Sequence, residues 1–318
     1  EREREPGEVR PPSRAPDEDV RVVLGGLELE QCLLADHRLV HEHVVQDGAE
    51  RVLRIVTGGG ILDRLDVDRS VPPVPLYRGG TGEAEKLLER FLERHLPGYD
   101  AQRNQPQTGF VSHMSKYLHF GQVSPVWLAL RIRQAEAPRE DRGSYLEELV
   151  VRRELAVNFV HHTEDYDSYS CLPAWARRTL DEHRHDEREH LYGRERLEAG
   201  ETHDPYWNAA MREMRETGYL HNHMRMYWGK RILAWTASPE EAYEAALALN
   251  NRYLLDGRDA NSYANVGWLF GLHDRGWPER EVFGKVRTMT AGGLERKCDP
   301  RAYVEAVDRR VREIRSRP

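Results

Sequence analysis

Cysteine is scarce. The 318 residues contain three, Cys32, Cys171 and Cys298, odd in number, far apart and without any C-x-x-C pair. That spacing argues against a disulfide scaffold and a structural zinc site, and it fits reduced thiols in a cytoplasmic protein. Long apolar runs are missing too: no stretch approaches the roughly 18 residues that a membrane helix needs, and mean hydropathy is −0.76. The opening EREREPGEVRPPSRAPDEDV is the reverse of a signal peptide in charge and polarity. Nor does positive charge dominate, since 47 Lys and Arg stand against 54 Asp and Glu for a net charge of −7. A global basic field of the kind common in nucleic-acid binders is therefore absent, although a local cluster can still form a phosphate footprint. The length suggests about two domains.

Aromatic residues make up only 8% of the chain, yet five of the seven tryptophans (Trp207, Trp228, Trp235, Trp268 and Trp277) fall between His203 and Trp277. Asp204 and Pro205 read as the N-cap and first-turn proline of a helix ending near Gly218, and Tyr219 to Trp235 reads as a second helix. Trp228 and Trp235 are seven residues apart, two helical turns, which places both indoles on one face. Core packing is the ordinary reason for such a stripe. The neighbours point further: Arg225 between Met224 and Met226, and a DGRD turn (Asp256 to Asp259) flanked by Asn250 and Asn261. Rings beside Arg, Asp and Asn fit a large, polar-edged aromatic ligand, because a buried charge must be paired or bound.

Residues 1–19 are charged and proline-rich, a composition expected to be disordered. Val20–Leu24 and Arg51–Val56 read as short strands of an α/β segment closed by Gly58–Gly60. Pro72, Pro73 and Pro75 mark a linker. From Glu83 the apolar period becomes helical, and helices are expected to about His95, from Ser124-Pro125, from Ser144 with an inner face of Leu146, Leu149, Val150, Leu155, Ala156 and Phe159, from the capping box at Ser238, and from Asp299-Pro300 to about Arg312. The stretch from Asp181 to His190 holds three histidines without a metal-ligand spacing and reads as a surface helix, so no metal site is expected. Ser112 and Ser115 flank a turn into a helix. Such a turn can hold a pyrophosphate or can simply cap the helix.

MRMYWGKRILAW, LLDGRD followed by GW, SKYLHFGQVSP, VVRRELAVNFVHH and VFGKVR together resemble the class II cyclobutane pyrimidine dimer photolyases, over about residues 72–307. The resemblance implies a mostly α fold, with a helical FAD-binding catalytic domain over 72–318 and an α/β antenna-domain remnant and linker over 20–71. About 70 residues are too few for the family's complete α/β domain, so the segment is expected to be truncated or reduced and no second antenna chromophore is expected. It implies FAD held by Tyr99, Ser112, Met114, Ser115, Arg225, Asn250, Asp256 and Arg258, with Arg225 paired to Asp256 and Asn250 facing flavin N5. Glu148, Trp268 and Met226 would meet the flipped pyrimidines, and Trp228, Trp207 and Trp235 would relay an electron to oxidised flavin in that order outward. Arg152 stands where the family often has an aromatic residue. Arg152, Arg153, Lys285, Arg287 and Lys297 are the candidates for DNA phosphates, with Arg296 beside them. The implied activity is light-driven repair of pyrimidine dimers in ultraviolet-damaged DNA by a cytoplasmic, monomeric lyase. The alternative is a cryptochrome-like light sensor, which has no need of Glu148 and Trp268.

Overall fold

The computed structural model describes Asp66 and residues 68–316. The expected disordered N-terminus, the two short strands, the Gly58–Gly60 turn and Cys32 lie outside the described residues. From Arg69 onward the chain forms one compact unit. It is built from α1 (Thr81–Arg94), α2 (Tyr99–Gln102), α3 (Ser115–His119), α4 (Pro125–Gln134), α5 (Arg139–Leu146), a π-helical turn (Glu147–Arg152), α6 (Arg153–His162), α7 (Ala174–Glu182), α8 (Arg194–Ala199), α9 (Pro205–Thr217), α10 (Asn222–Trp235), α11 (Pro239–Tyr253), α12 (Ala260–Leu269), α13 (Ala291–Glu295) and α14 (Pro300–Arg315). Among the described residues there is no β-strand, only an isolated antiparallel bridge between Arg280 and Gly284. No described helix is long and apolar enough to cross a membrane.

The start signals in the sequence act through side-chain caps. Asp204 accepts hydrogen bonds from the Tyr206 and Trp207 amides at 2.9 and 3.0 Å, Ser238 accepts from Glu241 at 3.2 Å, and Asp299 accepts from Arg301 and Ala302 at 3.1 and 3.0 Å. Each satisfies N–H groups that a helix start leaves without partners, and proline follows directly at the first helical position in all three. The main core gathers α7, α9 to α12 and α14, and a second apolar cluster joins α1, α4 and α5. Within the main core α9 lies along α14, and α12 packs against α6 and α11.

Two elements differ from the sequence expectation. The helix expected to begin at Ser144 begins at Arg139 and runs through the π turn to His162, with Ser144 in its interior. A π turn inserts an extra residue, which rotates every later position around the axis. Leu149, Ala156 and Phe159 accordingly stay buried, while Val150 and Leu155 turn outward, 45% and 48% exposed. Hydrophobic period alone carries no signal for that insertion. The charged stretch after Asp181 leaves its helix at Glu182 and continues as a tight turn, because its side chains hydrogen-bond to one another and to a distant loop.

Candidate flavin cavity

A cavity of about 330 Å³ opens between the α3 loop, the π turn, α10 and α12. A volume near the lower end of small-molecule sites, with mixed apolar and polar walls, suits a cofactor. One wall is the 111–115 loop, where Ser112 accepts a hydrogen bond from Tyr145 at 2.8 Å and Met114 is fully buried. Ser115, the first residue of α3, hydrogen-bonds the Asp256 carboxylate. Tyr99 stands beside this loop, its ring 5.3 Å from that of Tyr145.

The opposite wall holds the charges. Arg225 donates to Asp256 at 3.2 Å, and both side chains are largely buried. Burial pushes the Asp256 carboxyl up, but Arg225, the Ser115 hydrogen bond and Lys116 outweigh it and hold the group below the usual carboxylate range. The cavity face of the DGRD turn therefore carries a fixed negative charge. Gly257 is needed in that turn, since a Cβ there would lie 2.8 Å from the Leu254 carbonyl oxygen and 3.0 Å from that of Asn250. Two buried polar atoms beside this region lack partners, Nε of Arg225 and Oδ1 of Asn250. Buried polar atoms are almost always satisfied, so a ligand acceptor in the cavity fits the Arg225 Nε–H; Asn250 does not line the cavity.

At the rim, Glu148 and Arg152 sit on the π turn and Arg153 follows it, all three lining the cavity with Trp268 from α12. Glu148 forms an ion pair with Arg103, whose guanidinium also donates to the Ser144 hydroxyl at 2.7 Å. Arg103 had no motif around it in the sequence, and only the packing of α2 against α5 reveals it. Arg152 pairs with Glu147 at 3.3 Å.

The structure does not bring every candidate to this cavity. Arg258 is exposed in a left-handed conformation, φ 65°, with its amide donating to Asn251. Asn250 is fully buried in α11 and Met226 packs against the main core; neither lines the cavity. Lys285, Arg287 and Lys297 also lie off the cavity wall. Arg287 and Lys297 nonetheless both act on His223 at the start of α10, where burial first, and then these two cations, lower the imidazole's pKa. His221, which caps α10, is a wall residue without a sequence signal, and burial pulls it down to about 3.

Trp228, Trp207 and Trp235 are all buried to within 1% of full burial. The Trp207 indole donates to the Trp228 carbonyl oxygen at 2.9 Å, and its ring lies 5.7 Å from that of Trp235. Nε1 of Trp228 has no partner. Trp235 does not itself reach solvent: Arg231, His203 and Tyr192 cover it at 4.6, 5.1 and 5.6 Å.

Comparison with known proteins places this architecture. Residues 145–306 match the family model described as the FAD binding domain of DNA photolyase. A deoxyribodipyrimidine photo-lyase of Methanothermobacter thermautotrophicus is 53% identical over 233 residues, covering 73% of this chain and 51% of that protein. One from Potorous tridactylus is 45% identical over 237 residues, 74% of this chain and 44% of that protein. The crystal structure of a class III photolyase from Agrobacterium tumefaciens superposes with a TM-score of 0.58 at 19% identity, over 73% of this chain and 45% of that one. The chain thus spans about half the length of the curated relatives it matches. With a cavity of this composition and a match running through α6 to α14, the chain belongs to the family defined by the FAD-binding domain of DNA photolyases.

Proposed function

We propose that this chain carries out light-driven repair of cyclobutane pyrimidine dimers in DNA, as a cytoplasmic, monomeric deoxyribodipyrimidine photo-lyase of the class II type. The observation that carries the reading is the convergence of Glu148, Trp268, Arg152 and Arg153 on the rim of the cavity whose inner wall is the Arg225–Asp256 pair. A dimer stacked in a duplex is out of reach, so such enzymes flip it out. Trp268 offers an apolar face to the flipped bases, and Glu148 offers a carboxylate to their N–H edges. Arg103 holds that carboxylate in place.

When bound in its reduced form, FAD would supply the light-driven electron transfer for opening the cyclobutane ring. Ser112, Met114, Ser115 and Tyr99 would border its phosphates and ribityl chain, and Arg225 and Asp256 its ring system. The buried Trp228, Trp207 and Trp235, linked by the Trp207 N–H to the Trp228 carbonyl and by the 5.7 Å Trp207–Trp235 ring contact, would supply a set of oxidisable rings. Arg152, Arg153, Lys285, Arg287 and Lys297 would meet phosphates. The test is repair of dimer-containing DNA by FAD-loaded protein under blue light. Dimer loss only in the light, slowed in Glu148→Ala with an unchanged flavin spectrum, supports the reading. Flavin uptake with no light-dependent dimer loss overturns it in favour of a sensor.

A further inference from the structure

The loop from Asp274 to Arg287 carries Arg275, Lys285 and Arg287, and it is fastened to the turn after α7 in an unusual way. His183 directs Nδ1 at Asp186, 2.6 Å away, and Nε2 at Glu279, 2.9 Å away. A ring nitrogen facing a carboxylate must carry a proton to make a hydrogen bond, so both contacts form together only in the imidazolium. The Asp186 carboxylate also accepts the Val282 amide at 2.8 Å. Val282 is held there at φ 67°, a region that a β-branched residue rarely enters. Gly284 follows at φ 51°, so close to α7 that a Cβ would lie 2.2 Å from the Thr179 hydroxyl, and the Lys285 amide donates to that hydroxyl at 3.0 Å. Within the loop, the Trp277 amide donates to the Lys285 carbonyl at 2.8 Å, and the Trp277 ring lies between Arg275 and Arg287 at 5.4 and 4.9 Å.

We propose that His183 is a positioning residue whose charged imidazole clamps this basic loop to α7, so that the loop is held while the ring is charged and released as pH rises. The use of the loop on DNA rests on the repair reading above; the clamp itself does not. The charged groups facing His183 are Asp186 and Glu279, with Arg188 beside Asp186 and Lys285 beside Glu279. Arg184, next in the chain, is turned to Asp181 and Glu240. The Glu279 hydrogen bond first, and then that of Asp186, raise the His183 pKa above its ordinary value, and both carboxyls are held low. The sign follows. A raised histidine contributes its stabilisation fully below the unfolded value near 6.5, and that contribution is lost as pH rises through the higher folded value.

The experiment measures hydrogen exchange of the 277–287 segment in the FAD-loaded parent and in His183→Gln, each at the same series of pH values so that the intrinsic rate cancels. The expected result is protection about tenfold greater in the parent at low pH, the scale of one charge-assisted hydrogen bond, vanishing above the His183 pKa. Glu279→Gln, a change at a side chain 53% exposed, keeps the fold and shifts the step to lower pH. Equal protection in parent and variants, or a difference that does not change with pH, overturns the clamp. Affinity for dimer-containing DNA should fall over the same pH interval in the parent and stay flat in His183→Gln. If the exchange step appears while the parent binds no DNA at any pH, the clamp stands and the repair reading fails.

Discussion

Replacing Trp228 by Phe separates packing from electron relay. Trp228 is 1% exposed and its indole N–H has no hydrogen-bond partner. The substitution thus loses no hydrogen bond, keeps a ring in place and removes only part of a bicycle from the core. A partial truncation of this kind costs about 1 to 3 kcal/mol. Trp207 provides the comparison, because its N–H donates to the Trp228 carbonyl oxygen at 2.9 Å. Trp207→Phe removes that second hydrogen bond from a carbonyl that keeps its helical donor, which adds about 1 kcal/mol to a similar truncation. Urea unfolding of both variants should therefore rank Trp207→Phe as the less stable. Phenylalanine is much harder to oxidise than tryptophan, so both variants should bind FAD and repair dimers once the flavin is reduced chemically. Neither should photoreduce oxidised flavin in blue light with an external donor. Trp277→Phe is the control, since Trp277 lies in a surface loop between Arg275 and Arg287. Photoreduction at the parent rate in Trp228→Phe and Trp207→Phe would refute the relay and leave the two indoles as core.

Other outcomes follow from the same geometry. Arg225→Ala leaves the Asp256 carboxylate buried without its main cation, and chemical unfolding should show a loss of about 3 to 5 kcal/mol together with loss of FAD. Arg103→Ala frees Glu148 from its ion pair; dimer repair should slow as in Glu148→Ala while the flavin spectrum stays that of the parent. His221 is buried, caps α10 as an acceptor from the His223 amide, and is pulled down to about 3 by burial. It is neutral in the folded state, so the stability it confers is complete above the unfolded value near 6.5 and is lost as pH falls from there toward 3. His221→Asn, which can still cap, should flatten that acid limb of the unfolding free energy; an unchanged limb would show that other groups set it.

Local chemistry was enough to read the caps and breaks of this fold. Asp204-Pro205, Ser238-Pro239 and Asp299-Pro300 each place a side-chain acceptor before a residue that lacks an N–H, and those helices start where the chain said they would. Trp228 and Trp235, two helical turns apart, likewise lie in the main core with Trp207, whereas Trp268 lines the cavity and Trp277 stands in a loop. The π turn was beyond reach. An extra residue in one turn follows from how α5 and α6 pack, and it sends Val150 and Leu155 outward against the helical period. Contacts across long sequence separations were invisible for the same reason. Arg103 meets Glu148 only because α2 lies on α5, and His183 meets Glu279 only because a loop 96 residues later folds back onto α7. Residue types made Arg225 and Asp256 candidates for a shared site. Tertiary structure decided that they meet at 3.2 Å on a cavity wall, and that Arg258, two residues beyond Asp256, is exposed in a left-handed conformation and does not line it.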